Sequence, residues 1–151
     1  ELQPTIKEKD LQIVKNIKEK FHDYKADPNL LEVIFQNLLS NAVKYTPQKG
    51  KVNINLSENA QGDLKFSVSD NGMGIPQKQQ KEIFTKLFRA DNVKETDTQG
   101  TGLGLYIVKS IIDYVNGKIW FRSRKGKGTT FHVILPQEGM KKKRGSKKLD
   151  K

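Results

Sequence analysis

One segment limits the possible folds of this chain more than any other: the run from Asp27-Pro28 to Thr46-Pro47, which reads as a single long amphipathic helix. The aspartate can accept free N–H groups of a first turn, and the proline is pre-set for the first helical position. Pro47 ends the run, because a residue preceding proline is pushed out of the helical region. At about 100° per residue, Leu31, Ile34, Leu38 and Tyr45 share one arc, and Asn37, Asn41 and Lys44 occupy roughly the next 60°. Such a helix must bury one stripe against a partner surface.

The rest of the sequence supplies that surface. Val52-Asn53-Ile54-Asn55-Leu56 alternates apolar and polar, and residues 64–70 do the same across a Gly62-Asp63 turn, which predicts a hairpin. A second helix is expected over 103–115, with Leu105, Val108, Ile112 and Val115 on one side and Asn116-Gly117 as its stop. Strands over 118–123 and 129–135 flank a turn at 124–128 and finish at Pro136. Upstream, residues 3–9 read as the end of a helix, and 11–17 and 23–26 as short strands. Residues 77–88 read as one or two short helices. Residues 89–101 are polar, aperiodic and glycine-bounded, as expected of a mobile lid. This order predicts an α/β (α+β) fold: a two-layer sandwich with a mixed, mostly antiparallel sheet of about five strands and about three helices on one face.

Composition narrows the function. A chain of 151 residues fits one domain. It has no cysteine, so neither disulfides nor thiolate metal sites are available, and its two histidines, His22 and His132, have no neighbouring ligand cluster in the sequence. No apolar run approaches the roughly 20 residues that span a bilayer, and residues 1–10 lack a signal-peptide core. The chain starts at Glu1 without Met, which suggests a fragment of a longer parent. Of the +11 net charge, residues 141–151 supply +6. That distribution predicts a basic, disordered tail over 137–151, and no nucleic-acid partner is expected from the tail alone.

Three short segments carry chemistry. Asn37 and Asn41 border the buried stripe of the first long helix; alone, they are explained by a solvated helix shoulder. Asp70-Asn71-Gly72-Met73-Gly74-Ile75-Pro76 follows a strand. Alone it is an Asn-Gly turn, but a carboxylate there can also accept the exocyclic amine of adenine while the glycines let main chain approach a purine. Gly100-Thr101-Gly102-Leu103-Gly104-Leu105 opens the second helix, where free amides attract phosphate, although the spacing matches neither the dinucleotide fingerprint nor a P-loop.

In order and spacing these segments resemble those of the gyrase, heat-shock chaperone, histidine kinase and mismatch-repair ATPase superfamily, and histidine kinases most of all. Asn37-Leu38-Leu39-Ser40-Asn41-Ala42-Val43-Lys44-Tyr45-Thr46-Pro47 resembles their N box, residues 70–74 the G1 box, 84–89 the F box and 100–104 the G2 box. Gly126-Lys127-Gly128-Thr129-Thr130-Phe131 resembles the entry to the final strand. Leu87 and Ala90 depart from the pattern, standing where a second aromatic and a larger aliphatic are usual.

The resemblance implies a Bergerat ATP-binding fold over residues 11–136, preceded by the remnant of a connecting helix over 1–10. It implies ATP and Mg2+ as cofactors, with Asn41 as the metal ligand and Asn37 beside it, Lys44 on phosphate, and Tyr45 against ribose or adenine. Asp70 would read the adenine amine, Gly72, Gly74 and Ile75 would shape that wall, and Thr129 would face inward beside Asp70. Arg89 would meet the γ-phosphate, and Gly100, Thr101, Gly102, Leu103, Gly104 and Leu105 would hinge the lid and present amides. Asn37, Asn41, Lys44 and Arg89 form the implied catalytic set.

The implied activity is transfer of the γ-phosphoryl group to a histidine on a separate dimerisation domain, and onward to a response regulator. The parent would be a membrane-associated homodimer with this domain, itself monomeric, on the cytoplasmic side. Neither His22 nor His132 matches the acceptor pattern of the family. The competing readings are an anti-sigma-type serine kinase and a nucleotide-sensing module without catalysis.

Overall fold

A computed structural model of the chain describes residues 2–86 and 103–140. The elements in order are α1 (Gln3–Lys9), β1 (Gln12–Ile17), α2 (Pro28–Tyr45), β2 (Lys51–Glu58), β3 (Leu64–Asp70), a 3-10 turn (Gln77–Glu82), α3 (Gly104–Tyr114), β4 (Lys118–Arg124) and β5 (Gly128–Leu135). The strands form one sheet in the order β1-β2-β3-β5-β4, with β1 parallel to β2 and every other pair antiparallel.

α2 has the limits its sequence demands. The Asp27 carboxylate accepts the N–H groups of Asn29 at 2.9 Å and Leu30 at 3.3 Å, Pro28 fills the first turn, and Thr46 leaves the helix in extended backbone. Its buried residues are Ile34, Leu38, Ala42 and Val43, while Leu31 and Tyr45 are half-buried. The core forms where Ile34 and Leu38 of α2 and Val108 and Ile112 of α3 meet Val52, Phe66, Val68, Phe131 and Val133 of the sheet. Each of those strand residues holds the inward parity, and Trp120 and His132, on the other parity, stack with their rings 5.1 Å apart.

Two expectations are corrected. Residues 23–26 form no strand: Tyr24 packs on the core and Lys25 offers its carbonyl to the Met140 N–H at 2.8 Å, a single bond that makes no ladder. Over the described part of 77–88 one short helix forms, the 3-10 turn, as expected there; beyond it Ile83 is buried and Phe84 packs edge-on against Phe121 and Phe131. α3 begins at Gly104, one residue later than expected. The lid over 89–101 and the basic residues from 141 onward lie outside the described residues.

Candidate functional site

The site is built where the end of α2 meets the end of β3. Asp70 is the last core-facing position of β3, paired across the sheet with Val52 on one side and Thr129 on the other. Its parity carries the carboxylate inward, and burial raises its pKa above the ordinary aspartate value. One oxygen, Oδ1, accepts the N–H of Gly72 at 2.9 Å and that of Thr129 at 3.3 Å. Oδ2 is thereby left as the oxygen available to a ligand, and among the described residues no hydrogen bond reaches it.

The loop after Asp70 takes its path from main-chain contacts. Its Met73 N–H donates to the Tyr45 carbonyl at 3.4 Å, and the Met73 carbonyl accepts the Gly126 N–H at 2.7 Å. A Cβ on Gly72 would collide with that same Tyr45 carbonyl oxygen. Gly74 has φ +68°, and a Cβ there would run into the Arg124 carbonyl, so both positions require glycine.

Two residues missed by the sequence reading fix the far side of the loop. The Ser123 hydroxyl accepts the Ile75 N–H at 2.8 Å and lies 2.7 Å from the Thr129 hydroxyl and 3.1 Å from the Gly128 carbonyl. Gln80 donates its amide N–H groups to the carbonyls of Ile75 at 3.1 Å and Ser123 at 2.9 Å. Ser123 was detectable in principle, since it is a hydroxyl on the inward parity of a strand whose other inward residues are Ile119 and Phe121. Thr129 is 7% exposed, as its parity predicts.

On α2, Asn37 donates its side-chain N–H to the Val33 carbonyl at 2.7 Å and turns its oxygen toward Gly104, the first residue of α3. Asn41, one turn further on, is half-buried; Lys44 is exposed, with its ammonium 6.0 Å from the centre of the Tyr45 ring. Lys44, Tyr45 and Gly72 line a shared open cleft of about 610 Å3. Ile75 and Leu105 pack on the core, and Leu103 accepts the Ile107 N–H at 2.9 Å. The structure therefore gathers Lys44, Tyr45, Asp70, Gly72, Gly74, Ile75 and Thr129 around the β3 end, and sets Asn37 and Gly104 at the crossing of α2 and α3. Arg89, Gly100, Thr101 and Gly102 lie outside the described residues.

Among the described residues no three histidine, cysteine or carboxylate side chains cluster as a metal cage. Asn37 and Asn41 on α2 carry amide oxygens, a donor type that a hard cation such as Mg2+ accepts. His22 is paired through Nδ1 with Glu58 at 2.8 Å, and His132 is stacked on Trp120.

Residues 26–139 match the family described as histidine kinase-, DNA gyrase B- and HSP90-like ATPase. Sensor histidine kinase WalK of Bacillus subtilis (strain 168) is 34% identical over 131 residues, covering 86% of this chain and 21% of WalK. Among solved structures, a mycobacterial sensor histidine kinase, MprB, superposes with a TM-score of 0.75 at 26% identity, covering 92% of both chains. Full-length ShkA in complex with AMPPNP gives a TM-score of 0.75 at 27% identity, covering 94% of this chain and 28% of that one. The chain thus spans about a fifth of the length of WalK.

Proposed function

The chain belongs to the histidine kinase-, DNA gyrase B- and HSP90-like ATPase family, as the ATP-binding domain of a sensor histidine kinase, and we propose that it transfers the γ-phosphoryl group of Mg-ATP to a histidine on a separate dimerisation domain. The observation that carries this reading is the Asp70 carboxylate, oriented by two main-chain N–H groups with one oxygen left over. That oxygen accepts the exocyclic amine of adenine. Guanine, with a carbonyl at the same ring position, would face acceptor with acceptor and is rejected.

Around that anchor, Gly72, Gly74 and Ile75 form the wall beside the base, and Tyr45 lies against base or ribose. Lys44 neutralises phosphate charge, and Asn41, with Asn37 behind it, would hold Mg2+ through its amide oxygen. When bound, the metal supplies charge neutralisation on the phosphate oxygens. Arg89 is assigned to the γ-phosphate, and Gly100, Thr101, Gly102, Leu103, Gly104 and Leu105 to the hinge and phosphate-facing amides of the lid. In-line transfer needs positioning more than a base, because neutral imidazole is itself a nucleophile; α2 accordingly offers amides at 37 and 41 where a hydrolytic enzyme needs a carboxylate to activate water.

The neighbouring structure of ShkA in complex with AMPPNP, an ATP analogue, supports this reading. We infer further that α1 is the end of the helix leading in from the dimerisation domain, that a response regulator takes the phosphoryl group onward, and that the parent is a membrane-anchored homodimer. No helix among the described residues is long and apolar enough to cross a membrane.

The test is competition of ATP and GTP against a fluorescent ATP analogue with Mg2+ present. ATP is expected to displace the probe at least tenfold more effectively. Equal displacement by GTP would remove Asp70 as the base-reading group, and no binding of the probe would remove the nucleotide site altogether.

A further inference from the structure

α2 ends without the left-handed glycine that closes many helices. Thr46 is extended (φ −89°, ψ 130°), and Pro47 has no N–H to return to the last turn. The terminal carbonyls therefore need donors from elsewhere. That of Ala42 accepts both the Thr46 N–H at 3.2 Å and the Thr46 hydroxyl at 2.5 Å. That of Tyr45 accepts the Met73 N–H. The remaining three, of Val43, Lys44 and Thr46, converge on one atom, the Nζ of Lys9, at 3.0, 2.7 and 3.0 Å.

A lysine ammonium carries three N–H donors and no acceptor, so the match is one donor to each carbonyl. Its positive charge also sits at the negative end of the helix dipole. Lys9 is the last residue of α1, an element with no buried residue of its own. A second tie, from the Lys49 N–H to the Lys9 carbonyl at 2.8 Å, anchors the same residue to the chain just beyond α2. Lys9 thus ties the end of α1 to the end of α2 through both its side chain and its main chain. Lys9 also lines the cleft that Lys44, Tyr45, Gly72 and Met73 share.

We propose that Lys9 is a positioning residue for the nucleotide site: by holding the last turn of α2, it sets Lys44 and Tyr45 against the loop at Gly72 and Met73, so that displacement of α1 weakens nucleotide binding. The proposal rests on the reading of the Asp70 end of β3, with Lys44 and Tyr45, as the nucleotide site. α1 then acts as a handle: pulling it away removes three donors from the turn that carries Lys44 and Tyr45.

The experiment is titration of a fluorescent ATP analogue, with Mg2+, into the unaltered chain, Lys9→Met and Lys9→Arg. Lys9→Met is expected to bind at least fivefold more weakly, with faster amide exchange at Thr46 and Met73 and unchanged exchange in α3. Lys9→Arg, which keeps charge and multiple donors, is expected to recover most of the affinity. Binding by Lys9→Met within twofold of the unaltered chain overturns the proposal, as does failure of Lys9→Arg to improve on Lys9→Met. A second measurement needs no variant: because coupling is reciprocal, nucleotide must slow amide exchange at Thr46 and Met73 in the unaltered chain, and unchanged exchange refutes the coupling. If the unaltered chain binds no nucleotide, the reading of the Asp70 site falls, and the role of Lys9 with it.

Discussion

Gly104 meets Asn37 where α3 crosses α2, so closely that a methyl group on the glycine would lie 2.8 Å from the Asn37 amide oxygen. The Asn37 side chain has little freedom to yield, because its N–H is already given to the Val33 carbonyl. Gly104→Ala is therefore expected to destabilise the domain by about 1 kcal/mol, as overpacking outweighs the better helix propensity of alanine. Placed in an Asn37→Ala background, the same change becomes neutral or stabilising. Thermal unfolding of the two single variants and the double variant measures the coupling, and strict additivity would show that the contact carries none.

Asp70→Asn separates stability from recognition. Burial raises the Asp70 pKa, so the ionised carboxylate is disfavoured in the fold. The stability associated with a raised carboxylate pKa is fully present below the unfolded value and is lost as pH rises through the folded one, leaving a deficit at neutral pH. Asparagine keeps an oxygen for the Gly72 and Thr129 N–H groups and removes the charge. The variant is expected to melt higher than the parent at pH 7 and to bind adenine nucleotides at least tenfold more weakly, read by calorimetry and nucleotide titration.

The same raised pKa sets a pH limit on base recognition. Protonation removes the acceptor, so nucleotide affinity is expected to fall on acidification at a higher pH than an ordinary aspartate would dictate. In Asp70→Asn that limb of the profile disappears. Titrations between pH 4 and 8, the range spanning carboxylate and neutral conditions, resolve it.

Ser123→Ala removes the hydroxyl that accepts the Ile75 N–H and contacts Thr129. A half-buried N–H left without its acceptor costs about 1–3 kcal/mol. The loop should loosen beyond Gly74, raising the Kd for ATP several-fold and speeding amide exchange at Ile75. Exchange that remains as slow as in the parent would show that the Ser123 hydroxyl is not what holds the loop.

The chain has one tryptophan, and Trp120 stacks on His132. Burial, then the positive charges of Lys65 and Arg122, holds the His132 pKa below the ordinary histidine value. Protonated imidazole quenches indole, so emission should drop only at a pH below that of a free histidine, and His132→Gln should abolish the step. For stability the sign is the opposite of Asp70: the unfolded chain takes up the proton first, so this contribution is present above the unfolded pKa and lost as pH falls through the folded one.

What the sequence made legible was local. Asp27-Pro28 and Thr46-Pro47 bound α2 because capping and proline geometry act over a few residues, and Asp70 with Gly72 and Gly74 could be read because a turn of that path needs those residue types. What escaped depends on partners distant in the chain. The insertion of β5 between β3 and β4, the parallel pairing of β1 with β2, and the three bonds from Lys9 to the end of α2 are set by packing that no periodicity records. Residues 23–26 show the converse failure: a β-compatible run needs a free ladder beside it, and Lys25 finds only one bond to Met140.

The loop after Asp70 is pinned at Met73 through its main chain alone, its N–H spent on Tyr45 and its carbonyl on Gly126. The course of the chain at this point is consequently set without the thioether, which leaves that side chain to serve the cleft it lines while the strand-end carboxylate next door keeps its direction.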